Sequence, residues 1–149
     1  MSDKNAEALL AFIRTTAPDG TDVAHLARHD TAWAAYSEAL IELVAPDFVY
    51  EDKAMPDHAG ETYRGMEGLR RALATYAEPF EAMVYDLERI VGSGDHVVSI
   101  HRVRAKTRET AISFDVQAAY IWSFRDRRIV HIQGFLDPNE ALKAAGLEA

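Results

Sequence analysis

The chain has 149 residues and no cysteine, and its 16 Lys and Arg side chains stand against 24 Asp and Glu, for a formal net charge of −8 at pH 7. This acidic excess argues against recognition of a phosphate backbone, so we expect no nucleic acid partner. The lack of cysteine excludes disulfides, thiolate catalysis and Cys-ligated metal sites. With 48% hydrophobic residues, the composition predicts one globular domain over residues 1–149.

The sequence shows neither a signal-peptide pattern at its start nor an apolar run of the about 18 residues that a membrane helix needs. We therefore expect a cytoplasmic protein with no membrane partner.

Apolar residues at three- and four-residue steps predict the first helix around Leu9 to Ile13. The turn tripeptide Pro18-Asp19-Gly20 ends it. Residues 21–30 show no clear period, and we treat residues 1–30 as an N-terminal helical extension.

Two further helices follow. In the second, the apolar residues continue to Val44, with Asp30 or Thr31 as the N-cap and Pro46 as the stop. The third runs from Met66 to Pro79. The loop between the second and third helices, residues 52–65, is rich in Asp, Gly and Pro and is expected at the mouth of a cavity.

Alternating apolar residues predict strands, most of them after residue 79, where the period changes from 3.6 to 2. The predicted strands are Phe48 to Glu51, Met83 to Val91, His96 to Lys106, Ile112 to Phe124 and Ile129 to Leu136. Short turns between the last four indicate an antiparallel meander. A final helix begins at Pro138 with Asp137 as its N-cap. Helices followed by a long meander indicate an α+β fold.

The predicted sheet is apolar on both faces, so both faces need a cover. Helices can cover one face. For the other we predict a second subunit that packs against Val98, Ile100 and Ile121, which makes the protein a homodimer.

Several motifs together resemble the SnoaL-like, ketosteroid isomerase-like branch of the nuclear transport factor 2-like superfamily. They are Leu43-Val-Ala-Pro-Asp-Phe-Val-Tyr-Glu-Asp52, Tyr63-Arg-Gly before a helix, Val97-Val98, Phe124-Arg-Asp-Arg-Arg-Ile129-Val and Phe135-Leu-Asp137. The similarity runs from about Trp33 to Leu147, with residues 31–147 as the family core. It implies a cone-shaped barrel, with the N-terminal helices packed in the concave face of a curved, mostly antiparallel sheet and a pocket between them.

The resemblance also implies catalytic residues. Tyr50-Glu51-Asp52 resembles the stretch that supplies the general base of ketosteroid isomerases, so Asp52 is the candidate base. His101 falls where scytalone dehydratases carry a catalytic histidine, and we expect it to titrate near neutrality as an acid or partner base. The second histidine of those dehydratases has no counterpart here, because Val84 and Tyr85 occupy its neighbourhood.

Strand parity selects the other candidates. If His101 faces the pocket, Ser99 and Val103 face it too, and Asp52 shares a face with Tyr50. We assign Tyr50, Tyr120 and Ser99 to oxyanion or substrate hydrogen bonding. The predicted pocket lining is Trp33, Tyr36, Phe48, Tyr63, Phe80, Val103, Val116, Ala118 and Trp122.

Each candidate also has a purely structural interpretation. Asp52 can cap loop amides at a strand end, His101 can be a hydrogen-bonded core histidine, and the aromatic residues can be core. The basic stripe Arg102, Arg104, Lys106 and Arg108 is expected to pair with acidic residues of the preceding strand.

The remaining histidines, which we expect to be exposed, lie outside any metal-ligand spacing. These are His25, His29, His58, His96 and His131. We therefore expect no metal and no cofactor.

The leading hypothesis is a cofactor-independent acid–base enzyme, of the isomerase, dehydratase or polyketide-cyclase type, that acts on a small hydrophobic carbonyl or hydroxy compound. The alternative is a module of the same fold that binds a hydrophobic ligand without turnover, or a dimerisation scaffold.

Overall fold

The computed structural model of the protein describes residues 4–17, 20–54 and 60–147. Within these ranges the chain forms five helices and seven strands. The helices are α1 (Lys4–Thr16), α2 (Val23–Arg28), α3 (Asp30–Leu40), α4 (Gly65–Ala77) and α5 (Pro138–Ala144). The strands are β1 (Thr21–Asp22), β2 (Val44–Asp52), β3 (Tyr63–Arg64), β4 (Phe80–Ser93), β5 (His96–Thr107), β6 (Ser113–Arg125) and β7 (Arg128–Phe135).

The strands form one strongly curled sheet in the order β1-β4-β5-β6-β7-β2-β3. Neighbouring strands are antiparallel except β2 and β7, which are parallel. Helices α1 to α4 bury their apolar residues against the concave face of this half-barrel. The predicted α+β cone, with N-terminal helices inside a curved and mostly antiparallel sheet, is confirmed.

The hairpin between β6 and β7 shows how local sequence sets the meander. Asp126 and Arg127 form a two-residue turn and both have positive φ, at 52° and 66°. A turn with two positive φ values matches the right-handed twist of the strands it joins. The four predicted meander strands are confirmed, with ends that differ by at most three residues.

The second predicted helix ends earlier than the sequence suggests. Helix α3 stops at Leu40, and the peptide N–H of Leu43 bonds back to the carbonyl of Leu40 in a turn. Val44 is already in β2, where it pairs with Ile129, and Pro46 lies in the irregular stretch of that strand. Leu43 and Val44 fit the helical spacing of apolar residues, but they are apolar because they pack in the core where β2 begins.

The segment without a clear period contains β1 and α2. Asp22 caps α2 by accepting hydrogen bonds from the peptide N–H groups of Ala24 and His25. The predicted side-chain cap of α3 is wrong, because His29 occupies the N-cap position without a side-chain bond and Asp30 is the first helical residue. Asp30 instead accepts a hydrogen bond from Arg70 at 2.7 Å. The predicted cap of α5 is confirmed, since Asp137 accepts from the Asn139 N–H at 2.9 Å.

The prediction for the basic stripe is confirmed in part. Arg104 bonds Asp86, Arg102 lies 3.6 Å from Glu88 and Lys106 lies 3.4 Å from Glu81, all on the preceding strand. Arg102 also lies 3.1 Å from Asp115 of the following strand, and Arg108 comes after the end of β5. These exposed pairs satisfy charge across strands and contribute little to stability.

The convex face of the sheet corrects the dimer argument. Val98, Ile100 and Ile121 are at most 4% exposed, because α5 of the same chain covers them with Ala141 and Leu142. The prediction that a second subunit covers these three residues is therefore wrong, and they give no reason to expect a homodimer. Among the described residues, no helix has the length and apolar character to cross a membrane.

The cover by α5 can be tested at Ala141, which is fully buried. We expect Ala141→Asp to destabilise the fold by about 3–5 kcal/mol, because it places an unpaired charge against the apolar sheet. Ala144 lies on the same helix and is exposed. Ala144→Asp should change the free energy of unfolding by at most about 1 kcal/mol. Urea denaturation of both variants measures the difference, and equal losses would contradict the packing of α5 on the sheet.

Candidate active site

A cavity of about 100 Å³ lies between the first four helices and the concave face of the sheet. Its walls are mainly apolar, and its polar groups are hydroxyls and one imidazole. The lining residues are Phe12, Ile13, Thr16, Ala17, Thr21, Val23, Leu26, Tyr36, Leu40, Tyr50, Leu69, Leu73, Tyr85, Leu87, His101, Tyr120, Trp122 and Ile132. Among these described residues there is no Lys, Arg, Asp or Glu, so the cavity presents no formal charge at its surface.

Asp52 lies behind the cavity wall, in a row that crosses three strands. Gly134 of β7 pairs with Asp52 of β2 on one side and with Tyr120 of β6 on the other. A Cβ atom on Gly134 would lie 2.6 Å from Asp52 Oδ1 and 2.8 Å from Tyr120 Cε1. The missing side chain therefore leaves the space in which the carboxylate and the tyrosine meet.

The Asp52 carboxylate is 2% exposed and is held by hydrogen bonds. Tyr50 OH donates to Oδ2 at 3.0 Å, and Tyr120 OH lies 3.5 Å from the same oxygen. The peptide N–H of Ala54 donates to Oδ1 at 2.8 Å, so the strand-end capping interpretation is also correct. Burial raises the pKa of Asp52 above its usual range, and these three hydrogen bonds work in the opposite direction.

Tyr85 extends the chain of hydroxyls, because its OH lies 3.2 Å from Tyr120 OH, within hydrogen-bond distance. Burial raises the pKa of Tyr50, Tyr85 and Tyr120 well above the usual tyrosine range, and the Asp52 charge adds to the effect. All three phenols therefore stay protonated at neutral pH. The result is a continuous set of hydroxyl groups between the carboxylate and the cavity.

His101 belongs to a second hydrogen-bonded group. Its Nε2 lies 2.8 Å from Ser99 Oγ, and Trp122 Nε1–H donates to the same Oγ at 2.8 Å. Ser99 and Tyr120 are direct partners across β5 and β6, which places this group beside the tyrosines. The His101 ring meets the rings of Tyr85 and Tyr120 edge-on, at centroid distances of 6.0 and 5.7 Å.

Burial lowers the pKa of His101 from 6.5 to about 4, while Glu88 and Asp86 act in the opposite direction. The imidazole is therefore neutral at pH 7. The expectation that it titrates near neutrality is corrected: the helices that close the cavity remove the water that would solvate an imidazolium.

The structure brings together several of the predicted site residues. Tyr36, Tyr50, His101, Tyr120 and Trp122 line the cavity. Asp52 and Ser99 lie behind this lining, each one hydrogen bond away from a residue that lines it.

Other residues predicted to line the pocket lie outside the cavity lining among the described residues. Trp33 and Phe48 are in the main core. Tyr63 donates to Glu61 at 2.7 Å. The remaining four do not line the cavity either: Phe80, Val103 and Ala118 belong to a smaller apolar cluster next to it, and Val116 is 40% exposed. Ala118 is nevertheless the direct partner of His101 across β5 and β6. Parity identifies the face but not the position along the strand.

Sequence reasoning missed Tyr85, Gly134 and the contribution of α1. Tyr85 alternates with Leu87 on β4, and both line the cavity, so parity was a usable signal. Glycine inside a predicted strand is a recognised sign of close approach. The segment treated as an N-terminal extension supplies Phe12 and Ile13 to the lining, although its helix shows no chemical motif.

Two of the histidines that we expected to be exposed, His58 and His131, have different outcomes. His58 and residues 55–59 of the loop after β2 lie outside the described residues. His131, expected to be exposed, is half-buried and lies 3.1 Å from Glu51 Oε1.

The sequence profile of the SnoaL-like domain matches residues 23–132, more than half of the chain. The chain belongs to the SnoaL-like domain family. The match begins at α2, before the start at residue 31 that the motifs suggest. The comparison of this SnoaL-like domain with curated proteins gives no match.

Solved structures share the fold of this SnoaL-like domain. A proposed SnoaL-like polyketide cyclase from Jannaschia sp. CCS1 is 16% identical, covers 98% of this chain and 94% of its own, and gives a TM-score of 0.65. TerC, co-crystallised with polyporic acid, is 19% identical; the match covers 95% of this chain and 96% of TerC, with a TM-score of 0.63. A protein of ketosteroid isomerase-like fold from Catenulispora acidiphila DSM 44928, in complex with trimethylamine, is 22% identical; the match covers 83% of this chain and 88% of that protein, with a TM-score of 0.58. At these identities the likeness shows the fold alone.

The space at Gly134 makes a prediction about stability. We expect Gly134→Ala to destabilise the SnoaL-like domain by about 1–3 kcal/mol, because the new methyl group overlaps Asp52 and Tyr120. In an Asp52→Ala background the added cost should be smaller, because one of the two overlaps is gone. Urea denaturation of the four proteins in this cycle gives the coupling, and additive costs would contradict the packed row.

The buried imidazole makes a prediction about pH. Between pH 6.5 and 4 the unfolded chain binds a proton at His101 that the folded chain does not, so stability falls as pH falls through this window. From pH 7 to 4.5 this contributes a loss of about 2 kcal/mol, which His101→Gln should remove. His96→Gln, at an exposed histidine, serves as the control. Identical pH profiles for wild type and His101→Gln would show that His101 titrates normally.

Proposed function

We propose that this protein is a cofactor-independent acid–base enzyme, of the isomerase, dehydratase or polyketide-cyclase type, acting on a small hydrophobic carbonyl or hydroxy compound. One observation carries the proposal: an apolar cavity is joined through tyrosine hydroxyls to a buried carboxylate whose pKa is raised. A buried carboxylate of raised pKa is a suitable base for a proton next to a carbonyl group.

The proposed base is Asp52, acting through Tyr50. A proton from the carbon next to the carbonyl passes to Tyr50 Oη while the phenolic proton of Tyr50 passes to Asp52 Oδ2, 3.0 Å away. The tyrosine stays neutral throughout, and Asp52 ends as a carboxylic acid. The relay is needed because Tyr50 lines the cavity and Asp52 lies behind it.

Negative charge then develops on the carbonyl oxygen of the substrate. Tyr85, Tyr120 and the neutral His101 line the same cavity and supply hydrogen-bond donors for this charge. Such donors stabilise a developing charge more strongly in a largely apolar cavity than in water. Return of the Asp52 proton through Tyr50 to another carbon gives isomerisation. Transfer of that proton to a β-hydroxyl group, which leaves as water, gives dehydration. Attack of the enolate carbon on a second carbonyl, whose oxygen takes the proton, gives cyclisation. The three reaction types share the first step.

The comparisons support a small-molecule ligand in this fold. TerC was co-crystallised with polyporic acid, and the Catenulispora protein with trimethylamine. The second candidate function, binding without turnover, is favoured by one observation: among the described residues, Asp52 is not part of the cavity lining. In a binding module, the carboxylate in that place holds the tyrosines in position.

Exchange of α-protons for deuterium separates the two functions without knowledge of the natural substrate. We expect the protein to catalyse this exchange in a panel of monocyclic ketones in D₂O, followed by ¹H NMR. Asp52→Asn should slow exchange by about 10²–10⁴-fold, the usual contribution of a general base, with little change in ketone affinity. Asp47→Asn is the matched control, because it makes the same chemical change at an exposed position of the same strand and should leave exchange unchanged.

The outcomes differ clearly. Ketone binding with exchange no faster than in buffer would make the protein a binding module. Exchange at the full rate in Asp52→Asn would remove Asp52 from the mechanism.

A further inference from the structure

Trp122, Ser99 and His101 form a hydrogen-bonded row in the wall of the cavity, where Trp122 and His101 line it and Ser99 lies behind them. Trp122 Nε1–H donates to Ser99 Oγ at 2.8 Å, and this oxygen lies 2.8 Å from His101 Nε2. The exposed fractions of Ser99, His101 and Trp122 are 0%, 7% and 8%. Burial to this degree means that the three side chains must satisfy one another.

Counting protons determines the direction of each bond. The indole nitrogen of Trp122 is only a donor, so Ser99 Oγ accepts from it. The Ser99 hydroxyl has one proton of its own, and among the described residues the acceptor within hydrogen-bond distance is His101 Nε2. If Nε2 carried the proton instead, the fully buried Ser99 O–H would have no acceptor, whereas a proton on Nδ1 belongs to a ring that lines the cavity, where water or a ligand can accept it. The Nε2–H arrangement is therefore disfavoured by roughly ten-fold in population.

The direction of this bond determines the tautomer of His101. A neutral imidazole has one protonated and one unprotonated nitrogen, so an Nε2 that accepts from Ser99 leaves the proton on Nδ1. Nε2 is occupied by Ser99. The nitrogen with which the ring can bond to a ligand is therefore Nδ1, and it is a donor.

The cavity limits the size and charge of that ligand. Its volume of about 100 Å³ is comparable to cavities that hold a single benzene ring, of the order of 150 Å³. The described lining has no cationic side chain with which an anionic ligand could pair. A carboxylate or phosphate would lose its hydration there without compensation.

We propose that Trp122 and Ser99 hold His101 as the Nδ1–H tautomer, and that the cavity therefore selects an uncharged, single-ring compound with a carbonyl oxygen as hydrogen-bond acceptor. Ser99 and Trp122 are then positioning residues, since they act through His101. The ligand class rests on the proposed function, whereas the tautomer does not.

The tautomer is read directly from the ¹⁵N chemical shifts of the His101 ring at pH 7, assigned by their loss in His101→Gln. We expect Nδ1 to show the shift of a protonated nitrogen and Nε2 that of an unprotonated acceptor. The reverse pattern would overturn the inference. His96, which lies 3.1 Å from Ser123 Oγ through its Nδ1 and is exposed, provides a surface Ser–His pair in the same spectrum.

Two variants test the cause. Ser99→Ala should move His101 toward a mixture of tautomers, and Trp122→Phe should do the same more weakly, because Ser99 is then free to accept from Nε2–H. Ser123→Ala is the matched control and should leave the His101 shifts unchanged. If Ser99→Ala proves unfolded, the wild-type shifts and Trp122→Phe still decide the matter. An unchanged Nδ1–H tautomer in a folded Ser99→Ala would contradict the role of Ser99.

The ligand class is tested with two probes of similar size, cyclohex-2-enone and benzoate. We expect the enone to perturb the His101 Nδ1–H signal and to bind at least ten-fold more tightly than benzoate. Ser99→Ala should weaken enone binding by roughly two- to five-fold, because only the Nδ1–H fraction of the tautomer mixture can donate to the carbonyl oxygen. Tighter binding of benzoate would overturn the ligand class. None of these measurements depends on turnover, so failure of the proposed enzyme activity is a separate result.

Discussion

A carboxylate that is only 2% exposed has lost nearly all contact with water, and the fold around Asp52 must replace the hydrogen bonds that water would supply. The replacement comes from three different directions. Tyr50 donates from the same strand, Tyr120 approaches from β6, and the Ala54 N–H donates from the loop that follows. Gly134 lies between them and has no side chain to interfere. Strands β2, β6 and β7 must therefore keep their relative positions for the buried carboxylate to remain hydrogen-bonded.

This constraint also shapes the chemistry of the cavity. Because Asp52 is hydrogen-bonded behind the lining, a ligand meets mainly apolar side chains, and the polar groups among them are uncharged hydroxyls, an indole and a neutral imidazole. Tyr120 stands between the two polar groups, with its hydroxyl near Asp52 and its ring edge-on to His101. Acid–base capacity and hydrogen-bond donation are therefore separated in space, and tyrosine hydroxyls connect them.

The two faces of the sheet are covered by helices from different parts of the chain. Helices α1 to α4 belong to the part of the chain before and around β2 and enclose the concave face, which they turn into a cavity. The convex face is closed by α5, a helix of seven residues that is separated from β7 by only two residues. Short as it is, it is enough to bury Val98, Ile100 and Ile121 in the same chain.

The sequence by itself determined the order of the longer elements, the meander and the face on which each meander residue lies, but not the short elements β1, α2 and β3. These are local properties: a period of 2 places Ser99 with His101 and Tyr50 with Asp52, and Asp137 before Pro138 starts a helix wherever it is located. Tertiary structure decided how far each side chain lies from the cavity and what covers it. Phe80 and Val103 lie on the predicted face but outside the cavity lining. Asp52 lies behind the lining and is hydrogen-bonded to Tyr50, which is part of it. The neutral state of His101 and the cover by α5 were decided in the same way. Depth and cover depend on side chains distant in the chain, and the local pattern of a strand contains no information about them.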